Sequence, residues 1–278
     1  MQSRAFSTQS RACNTTRAIR NGLLTLAAVA LMAPAASAQL VLYDDFAGPQ
    51  IDAAKWAGRH YVTRDGGTGT ALETRREITP GQVLLLQSRA VGGDSSNSGT
   101  FTIQNALALR RPNTITEIAF TTWIRSLEVS GCAGGADSSA GVRGVFPLFS
   151  DGTGDVIAVA EVRRSSSSIA ADDEADVVAS LVHRAAGVDT VLASVYLGSA
   201  ELDERVRLRV RWEEKLSRVK FQRGADPVVI VGYAQPFVAT PSAPAKYLAT
   251  LANVADCTTG PAPTAAVVAL FNNVRVNQ

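Results

Sequence analysis

The chain reads as an all-β protein, a sandwich or a barrel. Three observations carry this reading. Short apolar runs with a period of two recur from Gln39 to the end, residues such as Gly, Pro, Asp and Ser break them at short spacing, and no long window carries a period of 3.6. Many short strands with turn residues between them are the pattern of a sheet closed on itself or packed against a second sheet.

The elements follow in order. LVLYDDF (40–46) is the first strand, and IDAAKWAG (51–58) is at most a short helical turn. TALETRREIT (70–79) and QVLLLQSR (82–89) flank Pro80-Gly81, and GTFTIQ (99–104) follows the loop tip GGDSSNSG (92–99). TITEIAFTTWIRSLEV (114–129) is a long alternating run. GVRGVFPLFS (141–150) and DVIAVAEVRRS (155–165) flank DGTG, and RRSSSS (163–168) is another loop tip. DVVASLVHRA (176–185) and TVLASVYLG (190–198) flank Ala186-Gly187. ERVRLRVRWEE (204–214) and RVKFQRG (218–224) form a hairpin through the turn EEKLS. VVIVGYA (228–234), KYLATLA (246–252) and AVVALFNNVRVN (266–277) finish the series, with the Pro-rich AQPFVATPSAPA (234–245) as a long surface loop. The alternation is clearest in 204–212. Val206, Leu208, Val210 and Trp212 share one face, and Arg205, Arg207, Arg209 and Arg211 share the other. One face is packed core; the other is wet or a binding surface.

The first 38 residues are expected to be a secretory signal peptide rather than fold. Arg4, Arg11, Arg17 and Arg20 give a positive start, Gly22 to Met32 is a short apolar run, and Ala36-Ser37-Ala38 is a small-x-small cleavage site. The apolar run is shorter than the roughly 20 residues a membrane span needs, so no span is expected after cleavage. Removal of 38 of the 278 residues leaves 240, read as one β-domain over 39–278. The signal carries four of the 27 basic residues and none of the 25 acidic ones, so the remainder has 23 against 25, a charge of −2. Nothing in that balance asks for nucleic acid. The expected location is outside the cell or in a bacterial periplasm. Cys132 and Cys257 remain after cleavage, and two cysteines in an exported chain are expected to pair. That link would constrain the unfolded chain by roughly 4–5 kcal/mol.

Four segments, in order, resemble the concanavalin A-like lectin/glucanase superfamily. YDDFAGPQIDAAKW resembles its opening: an acidic pair, Phe, a turn and a Trp. GDVIAVAEVRR resembles a middle strand, RLRVRWEEKLSRVKFQRG its hairpin, and LFNNVRVN its closing strand. The whole pattern is similar to uncharacterised exported proteobacterial proteins of that fold. The resemblance spans about residues 40 to 277 and implies a jelly roll of two antiparallel sheets with first and last strands adjacent. It also implies a structural calcium between the chain ends. Carried to this sequence, that falls on Asp45 and Asn272, oxygen donors of the type a hard cation takes. The alternative is that these side chains satisfy backbone groups at strand ends.

Catalytic members that resemble laminarinases carry Glu-x-Asp-x-x-Glu, since the reaction needs two carboxyls about 5–5.5 Å apart. The nearest match here, Glu174-Ala-Asp176-Val-Val-Ala179, ends in alanine and reads as a solvated acidic turn. After the signal only His60 and His183 remain; neither sits in a G-x-S-x-G elbow, and no zinc spacing exists. No catalytic residue is assigned and no cofactor is required. A polysaccharide lyase could use a Tyr or His base with Arg partners, and His183-Arg184 with Tyr196 keeps that open. The binding reading rests on the alternation at 118–125. If Ile118, Phe120 and Ile124 face the core, Trp123 and Arg125 face outward, where a ring and a guanidinium suit a sugar. Arg207 and Arg209 add cations for an anionic saccharide. Against this stands Trp123 as a packed residue and the arginines as partners of nearby glutamates.

The sequence therefore points to an exported, non-catalytic binding protein, with a polysaccharide or other glycan as the expected ligand. Two alternatives stay open: a polysaccharide lyase or glycoside hydrolase with an unrecognised site, and a structural or adhesive surface protein.

Overall fold

The computed structural model describes residues 39–59, 61–67, 70–92, 101–112, 114–131, 137–168, 173–254 and 262–277. The strands among them are β1 (Val41–Asp44), β2 (Trp56–Ala57), β3 (Tyr61–Gly67), β4 (Thr70–Ile78), β5 (Leu84–Val91) and β6 (Phe101–Leu109). They continue as β7 (Glu117–Ser130), β8 (Ser139–Ser150), β9 (Asp155–Ser165), β10 (Glu174–Ala185) and β11 (Val188–Glu201). The last five are β12 (Val206–Glu213), β13 (Arg218–Arg223), β14 (Val229–Gly232), β15 (Tyr247–Val254) and β16 (Thr264–Val276). They form two antiparallel sheets. One has nine strands in the order β14-β13-β12-β7-β16-β5-β4-β3, with β1 also paired to β16; the other has seven, β11-β10-β9-β8-β15-β6-β2. This is the expected two-sheet sandwich, and every run read as a strand is one. β2 and β3 were not foreseen. Residues 52–56 do make one helical turn, with Trp56 N donating to Asp52 O at 2.9 Å, before Trp56 enters its short strand.

The first and last strands meet as expected. Val41, Leu42 and Asp44 pair with Val276, Arg275 and Val274. β16 is the spine of its sheet: it pairs with β5 over residues 264–271 and with β7 along nearly its whole length. A bulge at Asn272–Arg275, with Asn273 in the left-handed region at φ 49°, lets β1 take over from β5 as partner.

The core lies between the sheets and mixes large with small side chains. Phe120 of β7 sits 6.4 Å, ring to ring, from Phe146 of β8 across the interlayer space, and 6.2 Å from Phe271 of β16. Gly144 makes that possible, because a Cβ there would lie 2.5 Å from the Phe146 ring and 2.7 Å from the Phe120 ring. Ala158, Ala160, Ala175 and Ala179 give β9 and β10 a low inner surface on which such rings can rest. Polar pins cross the same layer. Ser88 of β5 and Thr250 of β15 share a 2.9 Å hydroxyl contact, and Arg76 of β4 donates to Asn105 of β6. Buried groups of this kind are retained only when bonded.

Candidate functional site

The residues expected to bind a ligand lie on the outer face of the nine-stranded sheet, and their surroundings differ from the expectation. Ile118, Phe120 and Ile124 are core, so Trp123 does face outward, yet it is only 8 % exposed. Arg205 covers it, with Cζ 4.9 Å from the ring centre. A ring capped by a guanidinium is closed to a sugar, which corrects the picture of an open stacking platform. Arg125 is exposed and pairs with Asp203 at 2.9 Å. Arg209 donates through Nε to Glu117, whose side chain is 3 % exposed, and Arg211 approaches the same carboxylate at 3.8 Å. Glu213 takes Arg218 at 2.6 Å and Lys220 at 2.7 Å. Arg207 is exposed. Two of the four ladder arginines, Arg209 and Arg211, are therefore bound to the sheet's own acids, and Arg205 is taken up by Trp123.

Asp45 and Asn272 fall on the adjoining ends of the paired first and last strands. Asp45 Oδ1 accepts Ala47 N at 3.2 Å, and Asn272 Oδ1 accepts Asn273 N at 2.6 Å. Both act as strand-end acceptors. No group of three or more His, Cys, Asp or Glu gathers among the described residues, whereas calcium takes six to eight oxygens. The donor set does not fit the ion that the resemblance implied. Cys132, Cys257 and His60 lie outside the described residues, as does the 1–38 segment.

A different surface is hollowed. On the outer face of the seven-stranded sheet lies a depression of about 200 Å³ over β8, β9, β10, β11 and β15. The period of two delivers its lining: Arg143 and Val145 from β8, Ile157, Val159, Glu161 and Arg163 from β9, Ser180, Val182 and Arg184 from β10. Val145, Ile157, Val159 and Val182 make a small apolar cluster, against which Tyr247 of β15 packs. Polar groups surround it. Arg143 and Glu161 are register partners, and Arg163 Nη1 reaches Glu161 Oε1 at 2.9 Å. Gly141 lets β9 come close, since a Cβ there would fall 2.7 Å from that of Arg163. Burial pushes the Glu161 carboxyl up, and the Arg163 and Arg143 charges oppose this without cancelling it. At the other end Arg184 grips Asp189 with two bonds of 2.6 and 2.7 Å. That bond holds the Asp189 carboxyl below the usual carboxylate range. Tyr247 adds a smaller favourable interaction with the Arg184 guanidinium.

Sequence reasoning missed this site because Arg143, Glu161 and Arg163 sit in ordinary strand runs on three short spacings. The available signal was charge at alternate positions of otherwise apolar strands, as in VAEVRR, where a solvent-free strand face has no use for Glu161. Tyr196, on β11, is exposed on this same side as the register partner of Val178, which pairs with Glu161. His183 is not in the hollow; its Nε2 contacts Asp151 at 3.1 Å in the β8–β9 turn. Glu174 and Asp176 enter β10, and Asp176 is the register partner of Arg163.

No protein-family model and no curated protein matches the chain. Solved structures do. A β-glucanase from Bacillus licheniformis is 12 % identical, over 84 % of this chain and 96 % of that one, with a TM-score of 0.43. The catalytic domain of an endo-1,3-β-glucanase (laminarinase) from Thermotoga petrophila is 10 % identical over 87 % and 99 %, at 0.42. An alginate lyase from Klebsiella pneumoniae is 10 % identical over 81 % and 96 %, at 0.41. At such identities and TM-scores the likeness carries no argument about what this chain binds. No helix among the described residues is long and apolar enough to cross a membrane.

Proposed function

We propose that the protein binds a carbohydrate in the hollow of the seven-stranded sheet, without turning it over. The observation that carries this is the lining itself. An apolar floor of Val145, Ile157, Val159 and Val182 with Tyr247 alongside suits the C–H face of a sugar ring, and the arginines around it suit its oxygens. The hollow holds two carboxyls, Glu161 and Asp189, and Asp189 is committed to Arg184 by a two-bond fork. That supports binding over a hydrolysis that needs a free pair. The test is a glycan array with the intact protein and with Arg143→Ala/Arg163→Ala. Lost binding at an unchanged melting midpoint is expected; undiminished binding would sink the site. Export belongs to the same reading, and N-terminal sequencing of protein from the culture fluid or periplasm should begin at Gln39.

One contact favours a second reading, a lyase. A tyrosine near an arginine, as Tyr247 is near Arg184, is a pairing from which a lyase can draw its base. Ultraviolet absorbance of an unsaturated product would reveal it, and Tyr247→Phe should abolish that signal.

A further inference from the structure

One arrangement in the hollow is only half used in the free protein. Arg143 and Glu161 stand opposite each other on β8 and β9, and Arg163 lies beside them. The Glu161 side chain is 12 % exposed and that of Arg163 51 %, so the carboxyl sits at the floor and this guanidinium at the rim. Arg143 donates through Nη2 to Gln104 of β6, but its Nε, sealed from solvent, has no hydrogen-bond partner. A buried donor left unmade costs roughly 1–3 kcal/mol. An acceptor arriving from the hollow would satisfy it.

Charge points the same way. Three arginines line the hollow against two carboxyls. Arg184 and Asp189 satisfy each other, which leaves Arg143 and Arg163 to share Glu161. The groups facing Glu161 are few. β8 gives Arg143, β9 gives Arg163, and β10 gives Asp176 across from Arg163. Asp189 acts from β11 on Arg143, while β15 places only Ala249 and Leu251 alongside β8 here. Asp176 lies outside the lining, so the lining itself is cationic, and among the described residues the buried side-chain donor left unpaired belongs to a guanidinium, whose planar fork matches a carboxylate.

We propose that Arg143 and Arg163 form a subsite for a carboxylate-bearing sugar, a uronate, whose carboxylate takes over the guanidinium contacts of Glu161 and drives a proton from solvent onto Glu161. No covalent bond to the sugar forms. This rests on the saccharide reading of the hollow. In the free protein the arginine charges favour ionised Glu161. A bound anion compensates those charges, so the complex holds the Glu161 proton to higher pH than the free protein does. By linkage, affinity then falls as pH rises between those two points, by up to about tenfold per pH unit for one proton. A uronate carboxyl is already ionised there and adds no titration of its own.

The experiment is calorimetry on the intact protein with oligogalacturonate, a neutral cello-oligosaccharide and a sulfated oligosaccharide. It runs from about pH 5 to 9, in buffers of different ionisation heat, so that proton uptake is read directly. Oligogalacturonate should bind tightest and take up close to one proton, about tenfold more weakly per pH unit across the linked window. Glu161→Gln, checked by its melting midpoint, should show no proton uptake and one affinity throughout. Uronate binding without proton uptake, uptake that survives Glu161→Gln, or tighter binding of the sulfated ligand would overturn the proposal. Binding of the neutral oligosaccharide alone overturns it and leaves the saccharide reading standing, whereas binding of none of the three overturns both.

Discussion

Asp44 Oδ2 accepts a 2.6 Å hydrogen bond from Trp56 Nε1, and the two residues clip the start of the chain to itself. Asp44 Oδ1 also caps Phe46 N at 3.0 Å, and Phe46 stacks on the Trp56 ring at 5.5 Å between centroids while Tyr43 meets its edge at 5.3 Å. The segment DDF-turn-W is thus a packing unit: the carboxylate sets the ring, and the ring fills the sandwich end. Asp44→Ala should lower stability by about 2–3 kcal/mol, the loss of a buried charge-assisted bond, read as a reduced urea midpoint. Trp56→Phe keeps the stack and loses the donor, so it should cost less than Trp56→Ala. Equal costs would mean the ring stacking contributes nothing and the hydrogen bond carries the whole effect.

The alternation of apolar and polar residues made the sheets legible before their partners were known. Val206, Leu208 and Val210 are buried as the pattern required. β2 and β3 escaped it. Two residues are too few to show a period, and Tyr61–Gly67 reads YVTRDGG, largely polar and glycine-rich, so it gains its place from pairing with β4. The site was less legible for a physical reason. Exposure of an outward residue depends on what its neighbours lay across it, and no spacing in WIR announces that Arg205, 82 positions later, will cover Trp123.

That cover yields a prediction for the nine-stranded sheet. Trp123→Ala should destabilise the protein by about 3–5 kcal/mol, as loss of a packed aromatic does, and leave saccharide binding by the folded fraction unchanged. Arg209→Ala should also destabilise, by up to about 3–5 kcal/mol, because it strips Glu117 of its near partner while that carboxylate stays buried. Lost glycan binding at unchanged stability in Trp123→Ala would return the site to this face.

Calcium should leave the melting midpoint where it is. Asp45 Oδ1 and Asn272 Oδ1 each accept a backbone N–H, and a rise in midpoint with calcium that Asp45→Ala removes would show that these side chains also hold an ion.

Acid should act through Asp151. Burial opposes its ionisation, but hydrogen bonds from Thr153 N, Thr153 Oγ1, Gly154 N and His183 outweigh it and bring the carboxyl from 3.8 down to about 2. A carboxyl depressed on folding contributes stability that is whole above its unfolded value and is lost as pH falls through the folded one. The shift corresponds to roughly 2 kcal/mol, to be lost between about pH 5 and pH 2. Urea titrations at these limits should show that loss in the native protein and lack it in Asp151→Asn. An equal loss in both would place the acid sensitivity elsewhere.

Alkali should reveal Lys246. Lys246 is 8 % exposed and its ammonium donates to Pro112 O at 2.9 Å; Ile118, Phe146, Leu148, Val210 and Trp212 line the same space, with Glu117 beside them. Burial lowers its pKa from 10.5 to about 8. The sign is opposite to that of a paired lysine. Between those values the unfolded chain holds a proton that the folded one has released, so stability rises with pH from about 8 to 10.5 and is flat below. The charged form therefore costs roughly 3 kcal/mol at neutral pH. Lys246→Met removes that cost and loses one hydrogen bond of about 1 kcal/mol, for a net gain of about 2 kcal/mol near pH 7. Its advantage should vanish as pH rises through about 10.5, above which the wild-type lysine is neutral in both states. A variant less stable at neutral pH would show that the Pro112 bond, rather than the buried charge, decides what Lys246 does for the fold.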